Sequence, residues 1–398
     1  MTASERRSVG SLSLLYCFRM LGLFMVLPLL ALYAADYPGA TPSLIGLAMG
    51  IYGLTQALLQ IPLGWLSDRI GRKPVIIVGL AVFAIGSVVA AIADNLWLII
   101  IGRALQGAGA ITAAVMALVA DLTSEEQRTK AMALVGITIG VSFALALVLG
   151  PVVAGAGGLP AVFWLTAALA VGGIGIVVFL VPTPQTTGAH YTEVGAQPDL
   201  LGRALKDVNL ARLNLGVFCL HFILVACFLV VPDALEQLAG IDRSNHWKLY
   251  LSSLAVSILG IAPMMRVAER GGRLREMCLL GIILLLVALG GLSLAEGLWS
   301  VFVMLTVFFI GFNYLEATLP SQVSKSVFAD GKGTALGIYA TCQFFGIFCG
   351  GAIGGWVLEK AGSQYLLALC MTLCVIWFFW MTRAPNTLPE IKDGSQLS

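Results

Sequence analysis

At 398 residues the chain is long enough for two or three soluble domains, but hydrophobic residues supply 59% of it and charged residues 11%. A water-soluble domain is about 25% charged, so a soluble surface could not be covered from this supply; mean hydropathy is +0.94. The formal net charge is only +2, and no nucleic-acid partner is expected.

A membrane-spanning helix needs about 20 mostly apolar residues, and runs of that length recur along the chain. They are continuous rather than alternating, which excludes barrel strands. The first, Ser11–Ala34, is too long for a signal-peptide core and has no small-residue cleavage site behind it, so it is expected to stay in the mature protein. Thr41–Leu66, Pro74–Ala93, Trp97–Ala120, Ala131–Gly155 and Pro160–Val181 follow. A polar stretch over 182–209 separates these from Leu210–Val231, Trp247–Ala268, Met277–Ala295, Trp299–Val323, Thr334–Leu358 and Tyr365–Met381. The sequence ends at Ser398, shortly after the last run, and no C-terminal soluble domain is expected.

Twelve spans put both termini on one side, and the basic residues agree. Of the 23 Lys and Arg, eighteen fall in loops and tails on the side of the N-terminus, and only Arg243, Lys248 and Lys360 on the other. The positive-inside rule then makes both termini cytoplasmic. All eight cysteines fall inside the apolar runs with no repeated metal-ligand pair, and read as packing. No cofactor is expected.

The two sets of six spans resemble each other. Asp68-Arg69-Ile70-Gly71-Arg72 follows the second span, and Glu269-Arg270-Gly271-Gly272-Arg273 follows the eighth, 201 residues later. Lys130-Ala131-Met132-Ala133-Leu134 opens the fifth span, and Lys332-Gly333-Thr334-Ala335-Leu336 opens the eleventh, 202 residues later. Matches at nearly one offset indicate a duplicated chain: a bundle over 1–181, a cytoplasmic linker over 182–209 and a second bundle over 210–398 with a short tail. Paired repeats with a cavity between them are a transporter architecture.

Several motifs carry a family resemblance. Gly64-Trp65-Leu66-Ser67-Asp68-Arg69-Ile70-Gly71-Arg72-Lys73 resembles the loop 2–3 signature of the major facilitator superfamily, in its twelve-span drug:proton antiporter branch. Arg103-Ala104-Leu105-Gln106-Gly107 resembles the fourth-span motif of that family, and Gly150-Pro151 with Gly155 its fifth-span antiporter motif, although Ala146 and Ala154 stand where glycines are usual. The resemblance covers nearly the whole chain. It implies an all-α polytopic membrane protein, with twelve transmembrane helices in two pseudo-symmetric six-helix bundles (the major facilitator fold). It also implies that Asp68 latches one state against the start of the eleventh span, near Gly333–Gly337, and that Asp121 engages an arginine of the loop, Arg72. Gly64, Asp68, Arg69, Gly71, Arg72, Asp121, Gly150 and Pro151 are the candidate gating residues. Pro151 bends its helix, and the glycines permit close packing against the other half.

Ions at bilayer depth must be paired or must line water. Arg19, His221 and Glu316 fall on helices that the resemblance assigns to the central cavity, at depths of roughly 10–17 Å. They can share a layer. Arg103 lies higher, and bonding to backbone carbonyls of the first helix competes with a site role. In this reading Glu316 exchanges a proton as its surroundings alternate, Arg19 tunes it or binds a substrate anion, and His221 switches near neutral pH. The expected function is proton-coupled export of a small drug-like compound or metabolite from the bacterial inner membrane by a monomer. Uptake by symport, or a non-transporting sensor on the same fold, are the alternatives. No His-Glu-x-x-His motif, nucleophile elbow or nucleotide-binding loop points to an enzyme.

Overall fold

The computed structural model describes residues 1–182, 202, 204–326 and 332–383. Most of the expected linker, Arg203 included, therefore lies outside the described residues. The helices are α1 (Ala3–Tyr33), α2 (Pro42–Ile70), α3 (Arg72–Ala91), α4 (Leu96–Ala108), α5 (Thr112–Asp121), α6 (Glu125–Gly175), α7 (Val208–Gln237), α8 (His246–Arg270), α9 (Leu274–Ser293), α10 (Leu298–Lys325), α11 (Lys332–Ala361) and α12 (Ser363–Thr382). No strand occurs among the described residues.

Local chemistry sets the ends. Thr2 and Glu5 form a capping box on α1, Thr41 caps α2 just ahead of Pro42, and Asn95 caps α4. Gly71, with φ at +99°, makes the turn between α2 and α3 that a residue with a Cβ would strain.

Two spans differ from the simple expectation. The 51 residues of α6 hold two spans, because Gly157 and Gly158 leave helical geometry and turn the chain back ahead of Pro160. The fourth span is not one helix: it breaks at Gly109, where ψ is +46°, and resumes at Thr112 as α5. Apolar patterning runs straight through this break, so hydropathy alone could not reveal it. The twelve spans thus fold as a multi-pass bundle. In the first half α1 packs along α6, and α3 on α4 and α6; in the second, α7 packs on α11, and α9 on α10 and α12.

The halves meet chiefly through α2 and α11, which run antiparallel. We call the face holding the start of α1 and the end of α12 the near face, and the opposite one the far face. On the far side the contact is backbone on backbone. A Cβ at Gly46 would stand 2.2 Å from the Gly351 carbonyl oxygen, one at Gly355 2.4 Å from that of Pro42, and one at Gly53 2.4 Å from that of Phe344. Toward the near face the contact changes from backbone on backbone to side chain: a Cβ at Gly337 would meet nothing closer than Ile61, at 3.9 Å. Two polar contacts also bridge the halves at the far face: Ser43 N–H donates to Glu359 at 3.2 Å, and Arg243 pairs with Asp36 at 3.2 Å. The far face is shut.

Candidate functional site

Three side chains from α7, α10 and α11 converge in the second half. His221 Nε2 lies 3.7 Å from Glu316 Oε2, so two of the expected ionisable groups do meet. Gln343 joins them: its amide nitrogen is 2.8 Å from His221 Nε2 and 3.5 Å from Glu316 Oε1. His221 Nδ1 is 3.1 Å from the Val217 carbonyl oxygen, which can only accept, so Nδ1 carries a proton. In the neutral ring Nε2 is then an acceptor for the Gln343 N–H. Protonation of Nε2 makes it a donor, and Gln343 must turn its amide oxygen toward it. Charge on the imidazole is thereby tied to the hydrogen bonding of the glutamine and the carboxylate. Glu316 is suited to exchange: its side chain is 39% exposed, yet its Oε2 is buried without a hydrogen-bond partner. Nothing local in the sequence marks Gln343 as the bridge between two other helices.

Arg19 is not brought to this cluster. It is buried in the first half and donates to four neutral groups: Thr112 Oγ1 at 3.1 Å, Gln56 Oε1 at 3.0 Å, and Tyr52 Oη and the Gly109 carbonyl at 3.3 Å. Gly109 and Thr112 flank the break between α4 and α5, so Arg19 supplies a donor to a carbonyl freed there. Tyr52 and Thr112 were not foreseen as its partners, though Tyr52, Gln56 and Gln60 fall at four-residue spacing on one face of α2. Arg103, also buried, sits over the other side of the same tyrosine, 4.9 Å from the ring centre. Its Nε donates to the Ala48 carbonyl at 3.3 Å and its terminal nitrogen to Gln106 at 2.8 Å, with Gln106 passing on to Ser87 at 2.8 Å. The backbone partner belongs to α2, not to the first helix as expected, because the bare α-carbon of Gly107 lets α4 press against the Tyr52 carbonyl of α2. The Tyr52 ring reaches across to Phe344 of α11, centroids 6.2 Å apart, next in sequence to Gln343. That contact joins the tyrosine bound by both buried arginines to the helix that carries Gln343.

The near-face loop holds a charged knot. Arg72, buried, pairs with Asp68 and, at 3.2 Å, with Asp121, and donates to Ser67 Oγ at 2.7 Å. Lys73 donates to the Val181 carbonyl, beyond the end of α6, at 2.8 Å, while Arg69 stacks on Trp65 at 5.3 Å. Gly64 gives α2 its approach to Ala113 of α5, where a Cβ would lie 3.2 Å away. Asp68 is thus held by its own half, through Arg72. Gly150 does not pack on the other half as its motif suggested: a Cβ there would meet Leu29 at 3.2 Å and Met25 at 3.4 Å, both on α1. Pro151 follows it inside α6, and Gly155 has open space around it. The close inter-half packing belongs instead to Gly46, Gly50, Gly351 and Gly355 of α2 and α11.

Comparison with known proteins accords with this architecture. The chain matches the model of the Major Facilitator Superfamily over residues 12–314 and 213–397. It is 44% identical to the inner membrane transport protein YajR of Escherichia coli K12, over 95% of this chain and 83% of that one. It is 26% identical to the multidrug resistance protein MdtH of Yersinia enterocolitica, over 98% of this chain and 99% of that one. In fold it is similar to a bacterial homologue of the human lysosomal transporter Spinster, solved inward-facing and occupied. That match has a TM-score of 0.75 at 14% identity, covering 96% of this chain and 97% of the other.

Proposed function

The chain belongs to the major facilitator superfamily, and from that premise we propose that it is a proton-coupled secondary transporter of the inner membrane, exporting a small organic compound by alternating access. The observation that carries the coupling is the His221–Gln343–Glu316 cluster, in which the Glu316 side chain is partly exposed and, among the described residues, no Lys or Arg pairs with it. A proton on Glu316 removes a charge whose burial is expensive, so the loaded cluster tolerates closure of the cleft and the unloaded one favours water. His221 holds or passes that proton through Nε2.

The excess of basic residues on the near face supports a cytoplasmic position for it; in this reading the far-closed arrangement is the inward-facing state, with the monomer as the working unit. In that state the knot of Asp68, Arg72 and Asp121 is internal to the first half. In the opposite state the start of α11 returns to Asp68 and the loop latches it. Export rather than uptake follows the Gly150-Pro151 motif and the distant likeness to a protein named for multidrug resistance.

The test is flux in proteoliposomes under an imposed pH gradient, screened over a compound panel. Glu316→Gln should abolish gradient-driven flux while the folded protein remains in the membrane. Flux through the variant equal to wild type removes Glu316 from the mechanism, and no flux with any compound favours a sensor on a transporter fold.

A further inference from the structure

A cavity of about 550 Å³ lies between the halves at the far face, away from the cluster just described. Its first-half wall is Ala31, Pro42 and Ile45, and its second-half wall includes Leu229, Leu292 and Leu358. The volume falls within the roughly 300–1,000 Å³ of small-molecule sites. Asp233 is the one charged group in the lining. Gln237 donates to Asp233 Oδ1 at 2.7 Å, and among the described residues no cation pairs with this carboxylate. Both side chains are exposed and form the mouth. The surroundings reinforce the charge: the far-face loops and helix ends carry seven carboxylates against Arg243, Lys248 and Lys360. An acidic mouth on a chamber lined by leucines together with Ser293, Ser363 and Gln364 selects a cation with an amphipathic body.

We propose that this cavity is a second binding site, for a monovalent organic ammonium arriving in water from the far side, and that it exists only while the far face is closed. The ammonium pairs with Asp233 and its apolar part lies between Ile45 and Leu292. The state dependence rests on the alternating-access reading: Pro42 and Ile45 belong to the α2 segment that seals against Gly351 and Gly355, so opening the far face pulls one wall from the other. A ligand that binds one state alone shifts the population toward it. Occupancy therefore inhibits transport from outside without entering the central cleft.

The probe is dansylcadaverine, a primary ammonium on an aromatic body, titrated by fluorescence into purified protein in phosphatidylglycerol nanodiscs. Saturable binding is expected, weakened at least tenfold by Asp233→Asn and by Leu292→Trp, which fills the chamber. Equal affinity in wild type and in either Asp233→Asn or Leu292→Trp overturns the site and assigns the probe elsewhere. Abolition of binding in phosphatidylethanolamine discs gives the cavity to a lipid headgroup and likewise overturns the proposal. Gly351→Leu, which forces the seam apart, should abolish binding. If that variant binds normally while Asp233→Asn does not, the ligand site stands and its coupling to alternating access fails.

Discussion

Gly46→Ala is the smallest change that should move this protein between states. The added methyl would stand 2.2 Å from the Gly351 carbonyl oxygen and 2.8 Å from the Gly355 α-carbon. Both are backbone atoms that no rotamer change can remove. Restoring ordinary contact at about 3.4 Å requires α2 and α11 to separate by roughly 1 Å at the tightest point of their crossing. Overpacking of this kind costs about 1–3 kcal/mol, and here the cost falls only on the far-closed state, since the seam does not exist when the far face is open. The far-open population should therefore rise roughly 5- to 150-fold relative to the closed one. Spin labels at the exposed positions Gly39 and Lys360, one on each half at the far face, report the change as growth of a longer distance component in pulsed electron resonance. An unchanged distance distribution in well-folded Gly46→Ala would refute the view that this seam holds the far face shut.

Other perturbations follow from the same contacts. Arg72→Ala leaves Asp68 and Asp121 without their shared cation and should destabilise the first half by on the order of 3 kcal/mol, seen as a lower melting temperature; Arg72→Lys should recover only part of it, because an ammonium cannot reproduce the fork that serves two carboxylates and a hydroxyl. Arg19→Met strands the Gly109 carbonyl at the break, a loss of about 1–3 kcal/mol, and thermal unfolding at wild-type temperature would remove Arg19 from that structural role. Gln343→Leu removes the bridge in the second half and should shift the pH dependence of flux while leaving stability nearly intact; an unshifted profile would separate Gln343 from coupling. Arg243→Asp should raise far-face opening only slightly, since exposed ion pairs contribute about 0–1 kcal/mol, and Asp36→Arg added to it should restore the wild-type distance distribution.

Hydropathy located the spans well because the bilayer imposes a length on each: the expected Pro74–Ala93 is α3 at Arg72–Ala91, and the gap between Gly155 and Pro160 is the turn at Gly157 and Gly158. The loop motif led to Arg72 and Asp121, which the fold brings together. Partners between distant helices were harder to read. Arg19 and Gly109 are 90 residues apart, and no pattern in either run announces that an arginine on one helix will mend a break in another. Gly46, Gly50 and Gly53 on α2, which face α11, sit in an ordinary apolar run. Their spacing resembles the small-residue pattern of close helix pairs, yet small residues alone do not say which helix they face.

The contact between α2 and α11 is made of bare main chain, and this bears on how often it can be opened and remade. Side chains that interdigitate must find their rotamers again at every closure, and each one immobilised gives up conformational freedom. Glycine against carbonyl has no such search. What attracts the two helices there is dispersion and weak Cα–H contacts to oxygen, numerous but individually slight. Such a junction re-forms in the same register each time and releases without breaking any strong bond, the property a hinge needs if it is to swing through many turnovers.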